Sequence, residues 1–241
     1  MSTVVTDTSI DYPTSDGKPM AETQVHRQNM MLLIEALEDH YAGRTDVYVG
    51  GNMLMFYERG NKHRHIAPDV FVVLGVSSRV RENYLVWEEA KPTLDLVIEV
   101  TSKTTRRDDI VKKKEIYQNR LGVREYMLFD PFKDYLRPAE QMFRLQNGEY
   151  VDVPPQAGRL PSEVLGLEFE RVGEFLRLYD PVKGERIPTR LERSQRAESE
   201  LAAERQNRLE AERRETDAGQ KLANAQAEIA RLRSELEAKK S

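Results

Sequence analysis

The chain has 241 residues, 39% of them hydrophobic and 32% charged, with a net charge of −4, so part of it is expected to bury little apolar surface. The absence of cysteine excludes disulfide bonds, thiolate zinc sites, iron–sulfur clusters and cysteine nucleophiles. Because the sequence shows neither a long apolar stretch nor the basic and apolar regions of a secretory signal, a cytoplasmic protein without a membrane span is expected.

The predicted elements follow a polar N-terminal segment. Residues 1–19, rich in Ser, Thr, Asp and Pro, are predicted to be a disordered leader, whereas residues 20–184 are long enough for one substantial core. Hydrophobic periodicity there predicts a helix over 23–41, a β-rich segment over 47–57, a strand over 69–74, a strand over 94–101, a helix from Thr104 or Thr105 to Leu121, a strand over 125–129 and a hairpin over 142–153. The strand–helix–strand order between residues 94 and 129 favours an α/β (α+β) fold with a mixed β-sheet flanked by helices.

Residues 185–241 are predicted to form a charged helical tail, because they lack aromatic residues and are rich in Ala, Glu, Arg and Leu. In the distal half, Leu222, Ile229 and Leu236 are seven residues apart, with Ala225 and Leu232 between them. This spacing is typical of the a and d positions of a coiled coil. Two interpretations stay open: pairing with another helix, for example in a homodimer, and a solvated single helix.

Two acidic residues interrupt apolar strand sequences. Asp69 precedes the run VFVVL, and Glu99 lies within LVIEV. Burying an unpaired carboxylate is costly unless a positive charge compensates it. Mg²⁺ is a natural candidate, because it prefers oxygen ligands and retains waters for chemistry. A salt bridge to the next helix, or a strand end open to water, would explain the same acids without a metal.

The segment after Glu99 is basic and carries a polar helical face. Asp109, Lys113 and Tyr117 are four residues apart, so they lie along one side of the predicted helix. Six basic residues between positions 103 and 114 form a positive patch that would attract phosphates. The alternative is a solvated helix face with an Asp–Lys pair, and Tyr117 is expected to pack beneath that pair. His26, near the start of the first helix, is expected to pack at the helix end rather than to bond near the acids.

The ordered motifs from Pro68 to Pro131 resemble a known family. They are Pro68-Asp69, the strand DLVIEV, the pair RR followed by Asp109, Lys113 and Tyr117, the stretch LGVREY and the final Asp-Pro. This set resembles the Uma-type putative restriction endonuclease family, which belongs to the PD-(D/E)XK nuclease-like superfamily. The resemblance covers about residues 20–190 and implies a restriction-endonuclease-like mixed sheet flanked by helices, to which the helical tail is appended.

The resemblance also implies a divalent-metal site. Asp69 and Glu99 would hold Mg²⁺, or alternatively Mn²⁺, and the backbone carbonyl of Val100 would complete the coordination. The superfamily's Glu-x-Lys element would place a lysine at position 101, but this chain has Thr101. Lys113 therefore matches a lysine supplied by the following helix.

The activity implied by the resemblance is that of a Mg²⁺-dependent endodeoxyribonuclease, which hydrolyses phosphodiester bonds in DNA. Asp69, Glu99 and Lys113 are the expected catalytic residues, supported by Asp109 and Tyr117. Lys113 would orient the attacking water or stabilise the scissile phosphate, and Asp109 would hold the lysine. If Lys113 does not reach the site, Lys112 and Lys114 are the alternatives. The alternative function is a nonenzymatic nucleic-acid-binding or assembly module that recruits a partner through its helical tail.

Overall fold

The structure is a computed structural model that describes residues 12–15, 23–103 and 105–238, with side chains through residue 234. The chain divides into two units, with the boundary after Thr189. The helices are α1 (Gln24–His40), a 3₁₀ helix (Val86–Glu88), a π-helix (Asp108–Lys113), α2 (Lys114–Asn119) and α3 (Arg190–Ala238). Within the described ranges, none of these helices has the length and apolar character that a membrane crossing requires.

The first unit contains the strands. They are β1 (Val47–Gly50), β2 (Met55–Phe56), β3 (His65–Ile66), β4 (Val70–Leu74), β5 (Tyr84–Leu85), β6 (Leu96–Val100), β7 (Glu125–Phe129), β8 (Glu140–Gln146), β9 (Glu149–Asp152), β10 (Leu160–Ser162), β11 (Leu167–Val172), β12 (Phe175–Asp180) and β13 (Glu185–Arg186). The described strands form a six-stranded sheet in the order β1-β4-β6-β7-β8-β9, a four-stranded sheet in the order β10-β11-β12-β13 and a three-stranded sheet in the order β3-β2-β5.

The six-stranded sheet is mixed. Strands β6 and β7 are parallel, as the helical connection between them requires, and the other neighbouring strands are antiparallel. The mixed sheet with flanking helices that the sequence predicts is therefore confirmed.

Alternation along β6 separates two apolar cores. Leu96 and Ile98 pack with residues of α1, β11 and β12 on one face of the sheet. Val97 packs with Tyr117 and Tyr126 on the other face. Because side chains alternate between faces, Glu99 lies on the Val97 face, next to the helices that follow β6.

Most predicted elements agree with the structure to within a few residues. Thr23 caps α1, because its hydroxyl accepts a hydrogen bond from the His26 backbone N–H over 3.2 Å. The hairpin of β8 and β9 turns at Asn147 and Gly148, which both have positive φ angles, as this two-residue turn requires.

The segment after β6 differs from the predicted α-helix. Its N-terminus is capped by Ser102, whose hydroxyl accepts from the Thr105 N–H over 3.3 Å, while the Thr105 hydroxyl accepts from the Ser102 N–H over 3.1 Å. This reciprocal pair is a capping box. The sequence predicts the cap at Thr104 or Thr105 instead. Thr104 itself lies outside the described residues. The following backbone is a π-helix before it becomes α2.

The four-stranded sheet was not predicted. Its strands β11 and β12 alternate apolar and polar residues on either side of Gly173, so a pattern of period two was available in the sequence. Strand β13 pairs with β12, and Glu185 and Arg186, the first residues of the predicted tail, therefore belong to this sheet.

Part of the predicted leader is in contact with the first unit. The Tyr12 ring lies 4.9 Å from that of Phe56 and 5.3 Å from that of Trp87. Its hydroxyl accepts from the Gly60 N–H over 2.8 Å, and its carbonyl accepts from the Asn83 amide over 3.1 Å. The remainder of the leader prediction lies outside the described residues, apart from residues 13–15.

The second unit is the single helix α3, which spans Arg190–Ala238. Most of its described side chains are exposed, including those of Leu222, Ile229 and Leu232. The side chain of Leu236 lies outside the described part. A helical tail is observed, and its pairing in a coiled coil stays a prediction.

Candidate active site

The pairing of β4 with β6 brings Asp69 and Glu99 to the same place. The register pairs Val70 with Ile98 in antiparallel strands, so Asp69, just before Val70, lies beside Glu99, just after Ile98. Residues opposite each other in antiparallel strands point to the same face of a sheet. The two carboxylates are close enough that the charge of Asp69 contributes to raising the pKa of Glu99.

Glu99 is held by two donors on the helical segment that follows its strand. Its side chain is 1% exposed. Its Oε2 atom accepts from Lys113 Nζ over 2.7 Å, and its Oε1 atom accepts from the Tyr117 hydroxyl over 2.5 Å. Burial raises the pKa of Glu99 well above its usual range, although the Lys113 ammonium opposes this effect.

Lys113 bridges two acids. Its Nζ lies 2.7 Å from Glu99 Oε2 and 3.1 Å from Asp109 Oδ1. Burial disfavours the ammonium, but the neighbouring carboxylates outweigh burial and raise the pKa of Lys113. Of the two alternative lysines, Lys112 is exposed, and Lys114 lies over the Phe143 ring, with its Nζ 3.3 Å from the ring centre. Lys113 is therefore the lysine that contacts Glu99.

Asp109 is a third buried acid at this place. Its side chain is 1% exposed, and burial raises its pKa. Apart from the Lys113 ion pair, the described residues give its carboxylate oxygens no well-directed hydrogen bond. Its backbone carbonyl accepts from the Tyr126 hydroxyl over 2.9 Å, which fixes the π-helix against β7.

Asp69 stands at the more open side of the cluster. Its side chain is 13% exposed, and its Oδ1 lies 3.4 Å from Nε2 of His26. Its Oδ2 accepts from the Val100 N–H over 2.7 Å, so this acid is tied to the backbone of the neighbouring strand. A Cβ at Gly51 would clash with the Asp69 carbonyl oxygen, so only glycine allows this close approach.

Two contacts differ from the sequence-based expectation. His26, expected to pack at the helix end, reaches Asp69. Tyr117, expected to pack beneath the Asp–Lys pair, also donates to Glu99. Burial and the charge of Glu99 raise the pKa of Tyr117 well above its usual range, so its hydroxyl keeps the proton that it donates. The four-residue spacing from Lys113 is the sequence signal that could have indicated this role for Tyr117.

Other buried acids have an ordinary structural explanation. Asp95 is bonded to Lys91 Nζ over 2.7 Å and to Arg124 Nη1 over 3.1 Å. Glu125 is paired with Arg144 over 3.0 Å and also accepts from the Ser162 hydroxyl. Each of these acids has at least one cation of its own.

The cluster around Glu99 has a different charge balance. Lys113 pairs with Glu99 and Asp109, and the charge of a third carboxylate, that of Asp69, also raises its pKa. When all three acids are ionised, these acids and Lys113 together carry two net negative charges in a largely buried place. Such a balance attracts a cation.

The oxygen donors present suit a hard divalent cation. Asp69 and Glu99 supply carboxylates from adjacent strands, and the Val100 carbonyl belongs to the residue whose N–H donates to Asp69. Across the described ranges, no group of three or more His, Asp or Glu side chains is arranged to hold a metal. Mg²⁺ is commonly held by one or two carboxylates together with waters and substrate phosphates, so two acids are sufficient.

Comparisons with known proteins agree with the resemblance of the motifs. No curated protein matches the chain. Among solved structures, it is similar to a protein from Anabaena variabilis ATCC 29413 described as a putative nuclease belonging to DUF820, with 14% identity, a TM-score of 0.45, and coverage of 61% of this chain and 76% of that chain. The family model described as "Uma2: Putative restriction endonuclease" matches residues 6–178, which include β4, β6 and the helices after β6. The chain belongs to the Uma2 family of putative restriction endonucleases.

Proposed function

We propose that this protein is a Mg²⁺-dependent endonuclease that hydrolyses phosphodiester bonds in DNA. The observation that carries the proposal is the arrangement of three carboxylates around Lys113 at the junction of β4 and β6. Membership in a family of putative restriction endonucleases supports the reaction class.

Asp69, Glu99 and the Val100 carbonyl would hold the metal. When bound, the ion supplies positive charge that offsets the phosphate and makes water a stronger nucleophile. Mn²⁺ prefers similar ligands and is expected to substitute for Mg²⁺.

The side chains of the cluster divide the remaining work. Lys113 keeps its proton, because the neighbouring acids raise its pKa, and its side chain is 19% exposed. Its ammonium is therefore a donor available to a phosphate oxygen or to the attacking water. Asp109 positions Lys113, and Tyr117 positions Glu99.

A nucleic-acid substrate is supported by the exposed cations near the cluster. Lys103, Arg106 and Arg107 are exposed on the segment that joins β6 to the π-helix. Glu99 is the next-to-last residue of β6, so phosphates bound at these cations would lie near the cluster. We propose DNA, rather than RNA, as the substrate.

The test is cleavage of supercoiled plasmid DNA by the full chain with Mg²⁺, with Mn²⁺ and with EDTA. We expect nicked and linear products with either ion and none with EDTA. Glu99→Gln should abolish cleavage, whereas Glu149→Gln, which removes an exposed acid of β9, should not. A matched RNA substrate should be cut more slowly. Intact plasmid under all conditions, with the wild-type chain folded, would refute the proposal.

The second candidate is a nonenzymatic nucleic-acid-binding or assembly module. Two observations favour it. Both carboxylate oxygens of Glu99 already accept hydrogen bonds, one from Lys113 and one from Tyr117. The helix α3 is long and largely exposed. Binding of DNA without cleavage in any divalent ion would support it.

Self-association through α3 is a further part of the proposal. Leu222, Ile229 and Leu232 are exposed on this helix at heptad spacing. A second copy of the chain could cover them and form a homodimer. The cytoplasmic location expected from the sequence stays a prediction.

A further inference from the structure

A cleft of about 760 Å³ lies beside the edge of β8, between the loop of residues 131–138 and residues 153–158. Strand β9 pairs with Phe143–Gln146 and ends at Asp152, and one further bond joins the Val153 N–H to the Met142 carbonyl. Pro154 and Pro155 follow, and they have no N–H group with which to continue the pairing. The first residues of β8 therefore border open space, and its volume is in the range of sites that hold small molecules.

Three cations at this cleft lack a carboxylate partner. Within the described part of the chain, no ion pair involves Lys114, Lys133 or Arg137. Arg137 bonds only to the carbonyls of Lys133 and Leu136. A fourth cation, Arg171, is paired with Glu140.

Lys114 is the innermost of the three free cations. It is half-buried, and its Nζ lies 3.3 Å from the centre of the Phe143 ring. Burial lowers its pKa, and the charge of Asp152, which also lines the cleft, opposes this effect. A partly dehydrated ammonium without a close carboxylate attracts an anion more strongly than one in bulk water does.

The floor of the cleft is apolar. Met142, Val153 and Leu160, which belong to one core of the sheet, are buried beneath it, and prolines line its rim. Phe143 belongs to the other core and lies under Lys114. A cleft with an apolar floor and a cationic rim fits a ligand that combines an anionic group with a flat or apolar part. A nucleotide, with its phosphate and its base, has this combination.

The register of the sheet relates the cleft to the acidic cluster. Glu99 on β6 pairs with Leu128 on β7, and Leu128 pairs with Gln141 on β8, which lines the cleft. Neighbouring strands are about 4.8 Å apart, so the backbone at the cleft is roughly 10 Å from that of Glu99. One strand of duplex DNA carries a phosphate about every 3.4 Å along the axis. A few nucleotides of one strand are therefore long enough to reach from the cleft to the cluster.

We propose that this cleft binds a nucleotide of the substrate strand a few positions from the scissile bond. Its phosphate would contact Lys114, Lys133 and Arg137, and its base would lie on the apolar floor. The identity of the occupant rests on the proposed function, because the strand that occupies the cleft is the strand that the acidic cluster would cut.

The test measures binding of a labelled single-stranded DNA of about 20 nucleotides to the full chain by fluorescence anisotropy in EDTA, where no cleavage is expected. We expect Lys114→Gln/Lys133→Gln to bind about tenfold more weakly at low salt. The slope of log K against log salt should become less steep by about 1.4, because each lost phosphate contact accounts for about 0.7 on a single strand. Lys114→Arg keeps the charge and should bind like the wild type.

The matched control is Arg59→Gln/Lys62→Gln, which removes two exposed cations from the turn after β2. It should keep the wild-type affinity and slope. Melting temperatures check folding, and Lys133→Gln alone, at an exposed position, serves if the double variant is destabilised. Equal losses in the cleft and control variants would overturn the proposal.

Titration with a free nucleotide distinguishes a cleft that binds a nucleic-acid strand from a cleft that binds a free nucleotide. A deoxynucleoside monophosphate is titrated in parallel with the strand. If the cleft variant loses affinity for the free nucleotide but not for the strand, the cleft is a free-nucleotide site and the proposal is overturned. If the wild type binds the strand through the cleft yet never cuts DNA with Mg²⁺, the proposed function fails, and the cleft is a site for a nucleic-acid strand that this protein does not cleave.

Discussion

The Tyr117 hydroxyl donates a hydrogen bond of 2.5 Å to Oε1 of Glu99 and so joins α2 to the end of β6. Both side chains are buried. Lys113 bonds to the other oxygen of the same carboxylate. The orientation of Glu99 is therefore set by two residues one helical turn apart.

Replacing Tyr117 by Phe tests this positioning role. The change leaves Glu99 Oε1 buried without that donor, which should cost about 1–3 kcal/mol of unfolding free energy. It should also raise the pKa of Glu99 further, because a donor to the charged form is lost. We expect cleavage to slow and its acidic pH limit to move to higher pH. Urea unfolding and a pH–rate profile measure both effects, and an unchanged profile would contradict the role.

Replacing Lys113 by Met tests which lysine serves the site. The variant leaves Glu99 and Asp109 buried without their ammonium, so we expect cleavage to be lost and metal-free stability to fall. Lys112→Met is the matched control on the same helical segment, because Lys112 is exposed. Its effect should be confined to KM, with kcat retained. Equal losses of kcat in both variants would show that Lys113 has no special place in the reaction.

The free energy of unfolding should depend on pH because Glu99 and Asp109 are buried acids. Burial raises the pKa of both Glu99 and Asp109. As pH rises, the unfolded chain releases these protons first, at about pH 4, so the two groups destabilise the fold progressively until pH passes their raised pKa values. Glu99→Gln removes one such group. The variant should therefore gain stability relative to the wild type as pH rises, which urea unfolding in EDTA measures.

The protonation of these carboxylates also predicts how the effect of Mg²⁺ on the melting temperature depends on pH. Because ligand carboxylates must be deprotonated, added Mg²⁺ should raise the melting temperature more at about pH 8 than at about pH 5. Glu99→Gln should show little Mg²⁺ response at either pH, whereas Glu149→Gln should respond like the wild type. A Mg²⁺ effect that is equal in wild type and Glu99→Gln would place the ion elsewhere.

The chain ending at Pro188 tests the role of α3. It retains β13 and its pairing with β12, so it should fold with nearly the melting temperature of the full chain. Light scattering at micromolar concentration should show the full chain as a dimer and the shortened chain as smaller. The same subunit number in both would remove α3 from assembly, and failure of the shortened chain to fold would show that the unit boundary is drawn wrongly.

Elements with a local sequence signal could be predicted without the structure. Apolar runs give β4, β6 and β7, Asn147-Gly148 gives the hairpin of β8 and β9, and the Ala- and Glu-rich tail gives α3. The motifs around Asp69, Glu99 and Lys113 also sufficed to identify the family. Each of these signals depends on residues near each other in the chain, where periodicity and turn chemistry act.

Which side chains come into contact depends on the tertiary structure. The pairing of β4 with β6 places Asp69 beside Glu99, and the π-helix directs Lys113 rather than Lys112 or Lys114 to the acids. The contact of His26 with Asp69 joins residues far apart in sequence. Such contacts depend on strand register and on the packing of distant elements, which local sequence patterns do not specify.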